Sequence, residues 1–351
     1  MNLVSNGFWS HRPSIREPLL AVGAAVAAVA VVLCGLALAG YAPGTVLATA
    51  WAGVAGSPLR LAICAQEAVP LLLCALAASL AFRAGVVNIG IEGQYLLGAV
   101  TAVGVLTGGA SGAGMPWLAL LAGAVAGAAW CAIAVLLERG RGVPLVLSTI
   151  LLNVIAVYVL GMLVQGPLHD PLTAAPQSAL VPDASRLPVL VGGSGLHVGA
   201  LLAVGGAIAL WLVQHRTVIG FEWQVIGLNA TAARFAGIPV ARRELTAALG
   251  SGAIAGVAGA MQVAGVSFFL STDAPSYGYV GIAVALLGRL HPLGVIPAAI
   301  FFSGLDLGSR HLERRLGIAH DIGTITKGLA LATVLVVGAL SARVSQRRGG
   351  S

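Results

Sequence analysis

The stretch Phe82-Arg-Ala-Gly-Val-Val-Asn-Ile-Gly-Ile-Glu-Gly-Gln94 sets Arg83, Asn88, Glu92 and Gln94, with three glycines, between two long apolar runs. The surrounding chain has few polar groups: charged residues are 9% of 351 and the mean hydropathy is +0.96. Polar and ionisable side chains at membrane depth are costly unless buried in protein or lining a wet cavity. Backbone that leaves the helix there is tolerated under the same condition. A translocation pathway is therefore sought first at this stretch.

Composition defines the broad class. Hydrophobic residues make up 58% of the chain and glycine occurs 48 times, which suits close helix packing in lipid. A soluble chain of this length needs far more polar surface to cover its core. The net charge of +7 comes from 19 basic residues, of which only Lys327 is a lysine. The arginines stand at the ends of apolar runs, as membrane orientation demands, and not in a nucleic-acid-binding patch. Cys34, Cys64, Cys74 and Cys131 all lie inside apolar runs without CxxC spacing, so they read as buried free thiols.

The expected fold is an all-α polytopic membrane protein with about ten transmembrane helices, eight to eleven being compatible with the pattern. Spans are read near Pro18–Gly40, Leu59–Ala81, Ile91–Gly108, Pro116–Leu137 and Pro144–Val164. Others lie near Leu196–Val213, Leu245–Phe269, Tyr279–Leu287, Pro292–Leu307 and Ile322–Leu340. Tyr279–Leu287 is too short to span alone, so it is a half-helix or, with Pro292 as hinge, part of a broken pair. The first run is longer than a signal-peptide core and reads as a retained anchor. These spans form one transmembrane domain over 18–340, with a cytoplasmic N-terminal arm at 1–17 and a cytoplasmic tail at 341–351.

With the N-terminus inside, 13 basic residues fall on the cytoplasmic side against six outside, in accord with the positive-inside rule. The cluster His311-Leu-Glu-Arg-Arg315 fits badly, being placed outside. It is either an amphipathic interfacial helix or a sign that the count between Gly278 and Gly308 is off by one. Two connections are long. Residues 165–195 carry Pro167, Pro171, Pro176, Pro182 and Pro188, a density that argues for an ordered, irregular external loop. Residues 215–243 are cytoplasmic, and within them Asn229–Gly237 has the grammar of a short helix. Asn229 caps it, alanines fill it, and Gly237 with Pro239 ends it. Such a helix is placed either to dock into a partner or merely to join two spans.

Catalysis finds no support. There is no GxxxxGK[ST] phosphate loop, so ATP is neither bound nor hydrolysed on this chain. The seven histidines show no metal-ligand spacing, and Ser148 and Ser251 have no His/Asp partner in view. Gly252–Gly256 and Ala255–Gly259 are small-xxx-small patterns suited to helix interfaces. An ion-coupled carrier would place an ionisable residue at mid-membrane depth, whereas the charges here cluster at span ends.

The residues resemble a family at four places. Phe82-Arg-Ala-Gly…Asn-Ile-Gly-Ile-Glu-Gly-Gln94 is similar to the start of the third span in permease subunits of bacterial ABC importers. The branch is that of simple sugars and nucleosides, nucleoside permeases above all. Ser148-Thr-Ile-Leu-Leu-Asn-Val-Ile-Ala156 with Gly166-Pro-Leu-His-Asp-Pro171 resembles a second landmark. Gly220-Phe-Glu-Trp-Gln-Val-Ile-Gly-Leu-Asn229 with Ala232-Ala-Arg-Phe-Ala-Gly-Ile238 resembles the cytoplasmic coupling segment. Gly281-Ile-Ala-Val-Ala-Leu-Leu-Gly-Arg-Leu-His-Pro-Leu-Gly294 is similar to a late glycine-rich hairpin. The four occur in family order over about residues 60–340.

The resemblance implies a type II ABC-importer-like permease in the bacterial plasma membrane. Its implied partners are a separate ATPase subunit, a second and different permease, and an external substrate-binding lipoprotein. Cofactors are absent from this chain, since the ATP belongs to the ATPase. The coupling segment carries Glu222, Gly227, Asn229, Arg234 and Gly237, with Glu222 and Arg234 as the polar candidates for the ATPase contact. Asn88, Glu92 and Gln94 are candidates for lining or gating the substrate path, as is Asn153, nearer mid-span. Alternatively Asn88 caps the third span while Glu92 and Gln94 satisfy neighbouring backbone or Arg83. The topology sets this motif near the inner end of the third span, which suits a gate or scaffold. A simple-sugar or branched-chain amino acid cargo is the alternative to nucleosides.

Overall fold

The computed structural model describes residues 16–273, 275–333 and 336. The cytoplasmic tail expected at 341–351, all but the last two residues of the arm, and most of residues 334–340 of the last span lie outside them. The described residues are helical, with isolated β-bridges and no strand. Among the described residues, five helices are long and apolar enough to cross a membrane: α3 (Pro58–Arg83), α5 (Met115–Arg141), α6 (Leu145–Gln165), α7 (Gly199–Arg216) and α10 with its π-helical end (Val240–Ser267). The chain divides into two compact units, residues 65–299 and residues 1–64 with 300–351.

The smaller unit holds α1 (Arg16–Leu38), α2 (Pro43–Ala55), the start of α3, most of α12 (Val295–Leu316) and a helix over 321–333. Leu36, Val46, Leu312 and Ile318 form its core. Helix α2 was not expected from the sequence. Its apolar run is too short to span, yet Pro43 at its first turn is a good helix start. The basic cluster at 311–315 is no separate interfacial helix. It is the last turn of α12, which runs past the expected end at Leu307, with His311 and Leu312 buried and Glu313, Arg314 and Arg315 exposed. Asp306 pairs with Lys327 and, at 3.0 Å, with Arg310, tying α12 to the following helix.

The larger unit is built around α10, packed on α4 (Ile91–Thr107) and α5. Glycines make this possible. A Cβ on Gly256 would lie 2.0 Å from the Gly123 carbonyl oxygen, and one on Gly259 would lie 1.9 Å from that of Tyr95. Both small-residue patterns in α10 are therefore true helix interfaces. One end of the unit carries Arg83, α8 (Val218–Leu228) and α9 (Ala230–Phe235), and there the Arg139 guanidinium donates to the Ala241 carbonyl. The other end carries the proline-rich loop. Its backbone is laced to the end of α10 by Ser178 N–H to Leu270 O (2.8 Å), Val181 N–H to Phe268 O (2.8 Å) and Leu187 N–H to Ala264 O (2.9 Å). The loop is ordered and irregular, with one 3₁₀ turn at Asp183–Ser185.

Candidate functional site

Helix α3 ends in a Schellman turn. Val86 N–H reaches Ala81 O, Gly85 N–H reaches Phe82 O, and Gly85 takes φ +77°, a conformation that favours glycine. The chain then runs back into the bundle before α4 begins. Asn88 donates to Ser251, halfway along α10, at 3.1 Å. Asn153 donates to the Ile89 carbonyl at 2.9 Å, and it sits ~12 Å along α6 from that helix's start. The polar stretch therefore lies level with the middles of α6 and α10. Residues 84–90 turn back into the bundle before α4 forms, so α4 starts among the side chains of neighbouring helices and not at the tip of the connection.

Asn88, Glu92, Gln94 and Asn153 are brought together, each no more than 2% exposed. Asn88 and Gln94 form a reciprocal amide pair, with Nδ2 to Oε1 at 3.0 Å and Nε2 to Oδ1 at 3.1 Å. The Asn88 oxygen also accepts from Gly90 N–H at 2.9 Å, so every valence of its amide is used. Asn153 accepts from Gly93 N–H at 2.8 Å and donates to the Tyr279 hydroxyl at 3.1 Å.

Glu92 closes the arrangement. Its Oε2 accepts from Gly278 N–H at 2.8 Å and Tyr279 N–H at 3.3 Å, and the Ser276 side chain also bonds to it. Those amides are the start of α11 (Tyr277–Leu287), the short apolar element expected as a half-helix or part of a broken pair. Glu92 itself lies in the first turn of α4. Two helix N-termini, each with partial positive charge, thus converge on one buried carboxyl group. Arg83 does not take part: its guanidinium donates to the Gln214 side-chain oxygen at 2.9 Å. Ser251 and Tyr279 complete the site. No local pattern singles them out, since both act through contacts more than a hundred residues away in sequence.

At the end carrying α8 and α9, local capping works as the sequence suggests. Asn229 accepts from Ala232 N–H at 2.9 Å. Gly237, at φ +79°, closes a second Schellman turn through Ile238 N–H to Ala233 O. A small core of Ile226, Ala233 and Val240 binds α8, α9 and the start of α10 together. Glu222 forms an ion pair with Arg243, and the Trp223 indole donates to the Arg243 carbonyl at 3.1 Å, so both hold α8 to α10. Arg234 is exposed, and so is Phe235, at 90%. An apolar groove of about 650 Å³ lies in the smaller unit, and Ser309 and Thr326 are its hydroxyl-bearing lining residues.

Among the described residues, five membrane-length apolar helices around a buried polar cluster fit a multi-pass membrane protein. The chain belongs to the family described as branched-chain amino acid transport system / permease component, whose model matches residues 60–338. Among curated relatives, it is 31% identical to the guanosine ABC transporter permease protein NupP of Bacillus subtilis over 323 residues, covering 90% of this chain and 92% of that protein. It is 35% identical to the glucose ABC transporter permease protein TsgB13 of Haloferax volcanii over 281 residues, covering 76% and 73%. The nucleoside ABC transporter permease protein NupB of Lactococcus lactis is 30% identical over 259 residues, covering 70% of each chain. All three relatives are named as permease proteins of ABC transporters.

Proposed function

We propose that this chain is the membrane-spanning permease subunit of a nucleoside importer powered by ATP hydrolysis on a separate ATPase chain. The observation that carries the cargo assignment is the similarity to a guanosine permease along nine-tenths of the chain. The polar knot around Glu92 supports a gate on the pathway. Its amides bond one another, Ser251, Tyr279 and nearby backbone, and its carboxyl accepts from the N-terminus of α11, so they meet a substrate only when that N-terminus moves away. The short helix α9 is the coupling helix. Glu222, Gly227, Asn229 and Gly237 shape the coupling segment, while Arg234 and Phe235 face outward to meet the ATPase. The second permease is a different chain, as the pair NupP and NupQ of Bacillus subtilis suggests, and a binding lipoprotein delivers substrate from outside. The chain crosses the membrane about ten times with both termini in the cytoplasm, α11 serving as a half-span.

A glucose-type cargo is the second reading, favoured by the 35% identity to TsgB13. Reconstitution of the chain with its ATPase, paired permease and binding protein in liposomes separates the two. Uptake of labelled guanosine or adenosine that requires ATP supports the proposal. Glucose uptake without nucleoside uptake refutes the cargo, and full uptake without the ATPase refutes the class.

A further inference from the structure

Helix α8 brings its backbone against neighbouring backbone at two glycines seven residues apart, hence on one face. A Cβ on Gly220 would lie 2.1 Å from the Val213 carbonyl oxygen, at the end of α7. A Cβ on Gly227 would lie 2.1 Å from the Arg83 carbonyl oxygen and 3.2 Å from Gly85 N. At Gly227, then, backbone meets backbone with no side chain between them. Such a contact has no rotamers to absorb a displacement. The side chains reinforce it: Gln214 binds both the Arg83 guanidinium and, through its carbonyl, the Gln224 amide.

The segment contacted is the one that leads to the gate. From Gly85 the chain reaches Asn88 in three residues and Glu92 in seven. Val86 N–H to Ala81 O pins the start of this run, and Asn88 N–H to Val86 O at 3.0 Å keeps it compact. On the other side, α8 is built onto α9 through the Ile226–Ala233–Val240 core. A continuous set of close contacts therefore runs from α9 through Gly227 and Gly85 to Asn88, and from Glu92 to the N-terminus of α11.

We infer that the Gly227–Gly85 backbone contact is the link by which movement of α8 and α9 reaches the Glu92 hold on α11. This rests on the coupling role assigned to α9 above and adds the route the movement takes. Gly227 is a positioning residue in this scheme: it touches neither substrate nor ATPase. Displacing α8 shifts the Arg83–Gly90 run, which carries Asn88 and the start of α4, and so alters the bonds from Glu92 to Gly278 and Tyr279.

The test uses the assembled complex of this chain, its ATPase, paired permease and binding protein. Hydrogen exchange is followed in peptides covering 82–90 and 276–283, with and without trapping by ATP and vanadate. In the wild type both peptides should change exchange on trapping. In Gly227→Ala the ATPase should remain bound and hydrolyse ATP, while the response of 276–283 disappears and uptake falls to background. Gly205→Ala, at a position where an added Cβ meets nothing within 4 Å, should behave as wild type. A response of 276–283 without one in 82–90 overturns the link, even should Gly227→Ala fail to assemble. So does wild-type response and uptake in Gly227→Ala. Failure of the wild-type chain to hold the ATPase overturns the coupling role itself, and so is told apart from failure of the link.

Discussion

Asn153 offers a quantitative test of the buried knot. Asn153→Leu keeps the side chain close in size, so little cavity forms, and removes three bonds: from Gly93 N–H, to Ile89 O and to the Tyr279 hydroxyl. Loss of the acceptor orphans the Gly93 N–H, in the first turn of α4 where no intrahelical partner exists, at about 1–3 kcal/mol. The other two bonds add about 0.6 kcal/mol each, the average for hydrogen bonds between membrane helices. The total is about 2–4 kcal/mol. Tyr279→Phe removes only the hydroxyl bond, at about 0.6 kcal/mol, and leaves the backbone bond from Tyr279 N–H to Glu92 intact. Equilibrium unfolding in mixed micelles should therefore rank Asn153→Leu well below Tyr279→Phe. The double variant should be about as stable as Asn153→Leu alone, because the shared bond is already lost. Equal destabilisation by the two single changes, or full additivity in the double variant, would refute the knot as drawn.

Other substitutions probe the remaining features. Glu92→Gln keeps an oxygen to accept from Gly278 N–H, so it should insert and assemble with reduced uptake, whereas Glu92→Leu should fail to accumulate on membrane immunoblots. Phe235→Ala removes an exposed ring, so thermal stability should hold while ATPase affinity, measured by co-purification across a titration, drops about 30-fold for a hot spot of about 2 kcal/mol; unchanged affinity would remove Phe235 from the interface. Gly256→Val drives a side chain into the Gly123 carbonyl and should abolish folded protein in size-exclusion profiles. Arg243→Ala breaks the pair with Glu222 and should speed hydrogen exchange in α8 without altering membrane insertion.

What the sequence made legible follows from physics that acts locally. Apolar runs of about 20 residues announce α3, α5, α6 and α7. The short apolar run at Tyr279–Leu287 announces the short helix α11, and Asn229 with Gly237 announces α9. The small residues at 252, 256 and 259 mark a true interface. What was hidden depends on long-range placement. Hydropathy cannot show that residues 84–90 turn back into the bundle, because a Schellman turn at Gly85 is equally compatible with an ordinary surface connection. The partnership of Asn88 with Ser251 spans 163 residues, and that of Glu92 with Gly278 spans 186. Glu222, an ATPase-contact candidate by sequence, pairs with Arg243, 21 residues away on another helix, and that pairing has no local signal. Phe235 carries no signal of its own in so apolar a chain, and only its exposure in the fold sets it apart.

Helix α10 and its π-helical end form a strut ~42 Å long, 28 residues at 1.5 Å each. Its first turn is built into the α8–α9 element, and its far end is stitched to the proline-rich loop by three backbone bonds. A rod fixed at both ends tilts as a whole. Whatever seats on the loop would thus have a lever on α9 and, through the bond of Ser251 to Asn88, on the polar knot midway along the rod.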